Sequence, residues 1–386
     1  MPRPPRGFVL AGGLLAALVA QGATFKVTVL APQDDGRLSR SRLERGFLGQ
    51  PGGPAVDAFK VAIGEAQLEL DAAGARLEFE LVPVSDAAQA RAAAARAEKA
   101  GHAAVVADLP AAWTVAAAEG GKLPVLNVGA TSDALRQQDC RRNLFHLVPS
   151  ERMRADALAQ FLVQRNWRQV LLLSGPSDAD RERSATVQAT LRRYGLKLAG
   201  SKPFKLSADP RERDLANPVL LTSGSYDVVW VVDSDGEFAA SLPYRTALPR
   251  PVVGDGGLVA VAWSPKFERF GAPQVTRRLT KAAGRPMGPM DWPAWMAGKA
   301  LVAAAVAAPK GPLPALHKAL AEGELDGSKG VSMSFRPWDG QLRQPVLLTD
   351  GGSVVAMAPA DGVLHPKNNL DTVGADEPEK LCKARP

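Results

Sequence analysis

The chain has 386 residues, 46% of them hydrophobic and 23% charged, with 36 Gly, 31 Pro, 6% aromatics and 2 Cys. This composition excludes a collagen, a coiled coil and a disulfide-stapled miniprotein, and at about one to two hundred residues per domain the length calls for roughly two domains. The formal charge of +7, from 47 Lys and Arg against 40 Asp and Glu, is dispersed, with clusters no longer than Arg181, Arg183 and Arg192, Arg193. No basic helix, zinc spacing or aromatic platform accompanies it, which argues against nucleic-acid binding.

At the start of the chain, Arg3 and Arg6 precede an uncharged run from Phe8 to Ala20, and Ala20-Gln21-Gly22 offers the small residues of a signal-peptidase site. The run is too short to cross a bilayer comfortably. We expect residues 1–22 to be a cleaved signal peptide, with the mature chain in the periplasm. In an exported protein the two cysteines, Cys140 and Cys382, form either a bridge or two free thiols, and a bridge would tie the C-terminal stretch to the first half of the chain.

Short apolar runs then alternate with segments of helical period. Thr24 to Ala31, Arg76 to Val84, Ala103 to Ala107 and Pro124 to Val128 read as strands. Between them Pro54 to Leu70, Asp86 to Ala100 and Pro110 to Glu119 read as helices. Strands this apolar are buried on both faces, the mark of a parallel sheet covered by helices.

The pattern restarts at Ser150, with a helix to Asn166, a strand Gln169 to Ser174, a helix Asp180 to Tyr194, a strand Asp227 to Val232 and a shorter one, Pro251 to Val253. Trp292 to Ala308 and Ala315 to Glu322 follow as helices, and Gly330 to Phe335, Gln344 to Leu348 and Val354 to Ala358 as short strands. The expected fold is α/β with two lobes. The first spans 23–148 and is completed by about 265–322, the second spans 149–264 and is completed by about 323–358, and 359–386 is a surface tail.

Ligands of open parallel sheets bind beyond the carboxyl ends of the strands. Those positions hold Asp108 in the first lobe, with Gly129, Ala130, Thr131 and Ser132. In the second lobe they hold Asp178, Asp233, Asp235 and Asp255. The acids suggest a cationic, amine-bearing or metal-associated solute. The Gly129 to Ser132 segment offers hydroxyls and free amides. Asp and Ser are also favoured helix N-caps, although Asp233 and Asp235, two positions apart, cannot both cap one helix. Trp230 reads as core, while Trp292 or Trp295 is a candidate to face the crevice. No nucleophile elbow, P-loop or dinucleotide fingerprint is present, His146 reads as a buried hydrogen-bonded residue, and neither an enzymatic role nor a cofactor is called for.

The stretches Pro124 to Ser132 and Asn143 to Ser150, with the restart at Gln169 and the late Gly330 to Phe335 and Asp339-Gly340, resemble type I periplasmic solute-binding proteins of ABC transporters, the leucine/isoleucine/valine-binding group. The run Phe335 to Pro345, the segment Asn369 to Asp376 and the final Cys382 resemble the subfamily associated with PQQ-dependent alcohol dehydrogenase systems. The resemblance implies a monomer that closes on a small-molecule ligand between its lobes and hands it to a permease. The alternative is a sensor or accessory protein of a quinoprotein alcohol dehydrogenase that does not transport. One departure bears on the ligand. Where amino-acid binders of this group carry Gly-Pro followed by Ser, this sequence has Ala107-Asp108-Leu109-Pro110-Ala111-Ala112, and an acid there repels an α-carboxylate.

Overall fold

The computed structural model describes residues 23–39, 42–43 and 52–385. The signal-peptide segment, residues 1–22, lies outside them.

The first sheet is built from β1 (Ala23–Pro32), β2 (Ala75–Val84), β3 (Ala104–Ala107), β4 (Val125–Asn127) and β5 (Leu144–His146), all parallel in the order β2-β1-β3-β4-β5. The second repeats the order with β6 (Gln169–Ser174), β7 (Lys197–Pro203), β8 (Val228–Val232) and β9 (Val252–Gly254), arranged β7-β6-β8-β9 and again parallel. β3 and β8 are wholly apolar and the other central strands largely so because helices cover both faces, and each sheet accordingly separates two hydrophobic clusters.

Helix starts follow local capping chemistry. α1 (Val56–Glu65) and α2 (Gln67–Ala73) divide at Ala66 what reads in sequence as one helix. Asp86 caps α3 (Ala87–Lys99), which with α4 (Ala111–Glu119) covers the face of the first sheet opposite α1. Ser150 caps α5 (Glu151–Gln164), and Ser177 with Asp180 forms a capping box on α6 (Asp178–Arg193). Two short helices, α7 (Pro218–Leu221) and α8 (Glu237–Ser241), flank β8.

The last third distributes itself over both lobes. α9 (Ala272–Ala283), α10 (Asp291–Ala307) and α11 (Leu313–Glu322) pack in the first lobe's core. Leu325, Met333 and Phe335 join that core too, with the Phe335 ring edge-on to Phe145 at 5.1 Å. The stretch from about 323, expected to complete the second lobe, thus also contributes apolar side chains to the first. β10 (Val259–Val261), β13 (Val346–Thr349) and β14 (Val354–Ala358) form an antiparallel sheet, while β11 (Leu325–Asp326) pairs with β12 (Ser332–Met333). In the three-stranded sheet Ala260, Val346 and Leu348 face the second lobe's core, and Val261 and Leu347 face the first. Alternation along a strand thus lets one small sheet bind both lobes.

The tail is packed, contrary to the surface strap expected for 359–386. Arg336, 1% exposed, donates to the Leu370, Val373 and Ala375 carbonyls and to Asp371 at 2.7–3.3 Å, and Gly374 N–H donates to Asp156. Polar residues without periodicity gave no sign of this because the tail's partner groups are mostly its own backbone carbonyls. Cys140 and Cys382 are bridged, with Cα atoms 5.6 Å apart and 242 positions between them in sequence. Closing so long a loop restricts the unfolded chain, so Cys140→Ala with Cys382→Ala lowers unfolding free energy by about 2–5 kcal/mol in urea titration. Thiol titration of the unfolded, unreduced wild type will find no reactive cysteine.

Candidate functional site

The carboxyl ends of the two parallel sheets face one crevice. The chain order places a switch point between β1 and β3 in the first lobe and between β6 and β8 in the second, where consecutive connections leave for opposite faces and a cleft opens.

At the first switch point Asp108, 6% exposed, accepts both terminal nitrogens of Arg37 at 2.8 and 2.9 Å. Arg37 is shared with Asp35, at 2.7–3.1 Å, and the two carboxylates hold its guanidinium firmly protonated against the opposing effect of burial. Burial would raise Asp35, but Arg37 draws it below the usual carboxylate value. Neither Asp35 nor Arg37 was among the sequence candidates, although both follow the end of β1 as Asp108 follows β3. Gly129 serves this cluster by yielding room, since a Cβ there would stand 2.5 Å from Asp108 Oδ1.

The Gly129 to Ser132 segment departs from expectation in its amides. Gly129 and Ala130 N–H groups donate to Asn127 Oδ1 at 3.3 and 2.9 Å, and Asn127 Nδ2 donates in turn to Ala130 O and to His146 Nδ1. The amides are therefore spent on shaping the loop. Beneath it Arg136, 3% exposed, donates to the carbonyls of Ala130, Ser132 and Val148 and to Gln341 Oε1, all at 2.9–3.1 Å. Burial pulls its pKa down to about 10, still well above neutrality, so the cation persists.

Thr131 and Ser132 do reach the crevice. Thr131 O accepts the Glu151 N–H at 3.0 Å, and Ser132 Oγ donates to Glu182 Oε1 at 3.2 Å, across to α6 of the second lobe. Beside it Asp133 accepts from Thr186 Oγ1 on α6 at 3.3 Å, a bridge that sequence reading missed because Asp133 follows a hydroxyl pair resembling an ordinary helix start. Burial raises the Asp133 carboxyl above its usual range.

In the second lobe only some of the acids converge. Asp255 accepts from Arg183 Nη2 at 2.6 Å and from the Asp233 N–H at 2.7 Å, and Arg183 Nε donates to Glu151 at 3.1 Å. Burial pushes Asp255 up despite the guanidinium, and it opposes but does not prevent the lowering of Glu151 by Arg183 and Arg154. Asp233 is a folding residue: its carboxylate accepts the Asp235 and Ala239 N–H groups and organises the start of α8. Asp235 is half-exposed and stands 3.7 Å from Arg42, a residue that precedes α1. Asp178 is corrected outright, since its side chain is 92% exposed and pairs with Arg181 one helical turn on. The inward acid of that turn is Asp180, which accepts the Ser234 N–H and hydroxyl at 2.7 and 2.6 Å.

The crevice is thus mixed in charge, with its acids clamped on guanidinia or on backbone amides. Among the described residues there is no group of three or more His, Cys, Asp or Glu that could hold a metal ion. Trp292 and Trp295 are buried in the first lobe's core, at 0% and 1% exposure, and neither faces the crevice. A cavity of about 40 Å³ remains beside Glu151, Arg154, Arg183, Trp230, Val232 and Asp255. Its lining comes from the second lobe alone, and it has room for about one water molecule.

Residues 44–225 match the model of the family described as "Periplasmic binding protein". The chain has the fold of the periplasmic binding proteins. It superposes on a periplasmic binding protein from Burkholderia mallei with a TM-score of 0.67 at 12% identity, covering 94% of this chain and 99% of that one. A leucine-, isoleucine-, valine-, threonine- and alanine-binding protein from Brucella ovis in a closed conformation gives 0.68 at 13% identity, covering 84% and 89%. An ABC-transporter solute-binding protein from R. palustris in complex with benzoate gives 0.61 at 13%, covering 84% and 92%. No curated protein sequence matches the chain.

Two measurements test this geometry. Arg136→Met removes the guanidinium donor from Ser132 O and Gln341 Oε1 and leaves Ala130 O and Val148 O with one donor each, Asn127 Nδ2 and Gln341 Nε2, and urea unfolding should show a loss of about 2–4 kcal/mol. His146, wholly buried and accepting from Asn127 at Nδ1, is held well below 6.5 by burial and by the nearby Arg136 and Arg385. Its depressed folded pKa means its contribution is complete above 6.5. Below 6.5 the unfolded chain takes up a proton the folded chain refuses, and stability falls by up to about 1.4 kcal/mol per pH unit. The slope assigned to this group disappears in His146→Gln, measured by unfolding at pH 5 and pH 7.

Proposed function

We propose that this chain is the solute-binding component of an ABC transporter, exported to the periplasm, closing its lobes on a small solute and presenting the closed form to a permease. The observation that carries this reading is the crevice between the strand ends, spanned directly by Ser132 to Glu182 and by Asp133 to Thr186. Such bonds exist only when the lobes are together, so a solute that adds contacts to both lobes shifts the population toward closure. The fold of the transport proteins named above supports the same reading.

The crevice also narrows the solute. Each lobe presents a guanidinium between two carboxylates, Asp35-Arg37-Asp108 and Glu151-Arg183-Asp255; the first triad carries a net charge of −1, and in the second Arg154, 3.8 Å from Glu151, offsets the excess. A solute with a basic nitrogen and hydroxyl groups complements the Asp35-Arg37-Asp108 triad, whereas a free carboxylate meets Asp108 there. The strings at Phe335 to Pro345 and Asn369 to Asp376 support a place for the protein beside PQQ-dependent alcohol oxidation, where amino alcohols and their oxidation products would be candidates.

A thermal-shift series of amines, amino alcohols, aldehydes and carboxylates tests the assignment. A solute at a hundred times its Kd adds about 2.7 kcal/mol of stability. Amino alcohols are expected to shift the wild type, and Asp108→Asn with Asp255→Asn to abolish the shift. A carboxylate that stabilises both proteins equally would contradict it.

A further inference from the structure

A second cavity lies away from the crevice. It is a groove of about 700 Å³ between the end of α5, the segment from Lys266 to Arg269 and the whole of β14. Its walls belong to different lobes, because Phe267 sits in the first lobe's core and Phe161 in the second's. Its floor is apolar, with Phe161, Phe267 and Met357, and it remains open along one side.

Two features of the groove bear on what it takes. β14 is the outer strand of its sheet, hydrogen-bonded to β13 on one side only, and residues 353–357 line the groove consecutively. Consecutive residues point to opposite faces of a strand, so a groove that touches all of them runs along the strand's backbone edge. The second feature is charge. Arg165, Lys266 and Arg269 are exposed on the rim and form no ion pair with a described residue, and Arg165 lies 5.0 Å above the Phe161 ring. Glu268 and Asp361 are the acids of the same rim, so cations are in excess.

We infer that this groove docks an extended, acidic segment of a partner polypeptide, which adds to the edge of β14 and places carboxylates against Arg165, Lys266 and Arg269. Backbone pairing supplies affinity in such additions, and side-chain pockets on alternate positions supply choice of sequence. A closed small-molecule pocket would surround its ligand more fully than this open trough does. The register of β14 shifts at Val355, between the pairs Leu348 with Ala356 and Thr349 with Val354, so the added strand is short and its carboxylates contribute much of the binding. Because the two walls belong to different lobes, the occupant and a crevice solute bias the same lobe arrangement, and each must alter the other's affinity by the same factor. The inference does not depend on which solute the crevice takes.

The competing role for these features is protective, since lysines and bulges on outer strands also discourage unwanted pairing. Binding of a fluorescein-labelled seven-residue peptide alternating glutamate and valine to the full chain, followed by anisotropy at low ionic strength, separates the two. The docking role predicts saturable binding that weakens at least tenfold with the lysine counterpart, with N-methylation of alternate peptide amides, and in Arg165→Glu with Lys266→Glu. It also predicts slowed hydrogen exchange at the amides of residues 354–357. These side chains are exposed, and circular dichroism melting checks that the variant folds. Absence of saturable binding would establish the protective role and overturn the proposal, as would equal binding to the double variant. Unchanged affinity after N-methylation would overturn the strand addition.

Discussion

The Arg136 guanidinium is the constraint on which the crevice depends. From one buried position it donates to the loop after β4 through Ala130 and Ser132, to the first inter-lobe segment through Val148, and to the last through Gln341. Gln341 Nε2 donates in turn to His146 O and Val148 O, and Gln344 Nε2 to Leu147 O. Residues far apart in the chain are thereby fixed to one another where the chain passes between the lobes. A single cation can do this because carbonyl oxygens are acceptors only and a guanidinium offers five donors in a fixed plane. The same device recurs at Arg336, which gathers the carbonyls of the C-terminal stretch.

The bonds that join the lobes are of two kinds, and the difference bears on the proposed closure. Bonds at the hinge are buried and satisfied on both sides, so parting them would strand polar groups away from water. Bonds across the crevice are different. Ser132 with Glu182 and Asp133 with Thr186 join side chains that solvent can satisfy as well when the lobes part, and their net worth is small. If the lobes part as proposed, they part at the crevice, and a solute would need to contribute only modest energy to hold it shut.

The two-lobed organisation was legible because fully apolar strands such as Val228 to Val232 recur with helical segments between them, a pattern few folds produce. β5 and β7 were not, the first for its length of three residues and the second for its exposed, glycine-bearing sequence at a sheet edge. α9 was hidden by Pro273 and by its sparse buried set, Ala272, Val275 and Leu279. At the proposed site, position after a strand singled out Asp108, Ser132 and Asp255 as candidates but could not state their partners. Arg37 and Arg183 convert a supposedly acidic lining into two clamped triads, and a cation's partner is a matter of tertiary proximity that spacing does not encode. Asp178 failed for a related reason: the strand-end rule selects a loop, while helix phase decides which residue of its first turn points inward, and there it is Asp180.

Native mass spectrometry of the protein released gently from its own host tests the central claim most directly. The account predicts one small solute bearing a basic nitrogen, retained by the wild type at one per chain and lost from the Asp108→Asn, Asp255→Asn variant while the fold persists. A solute held equally by both proteins would contradict the claim that the crevice between the strand ends is where this protein binds.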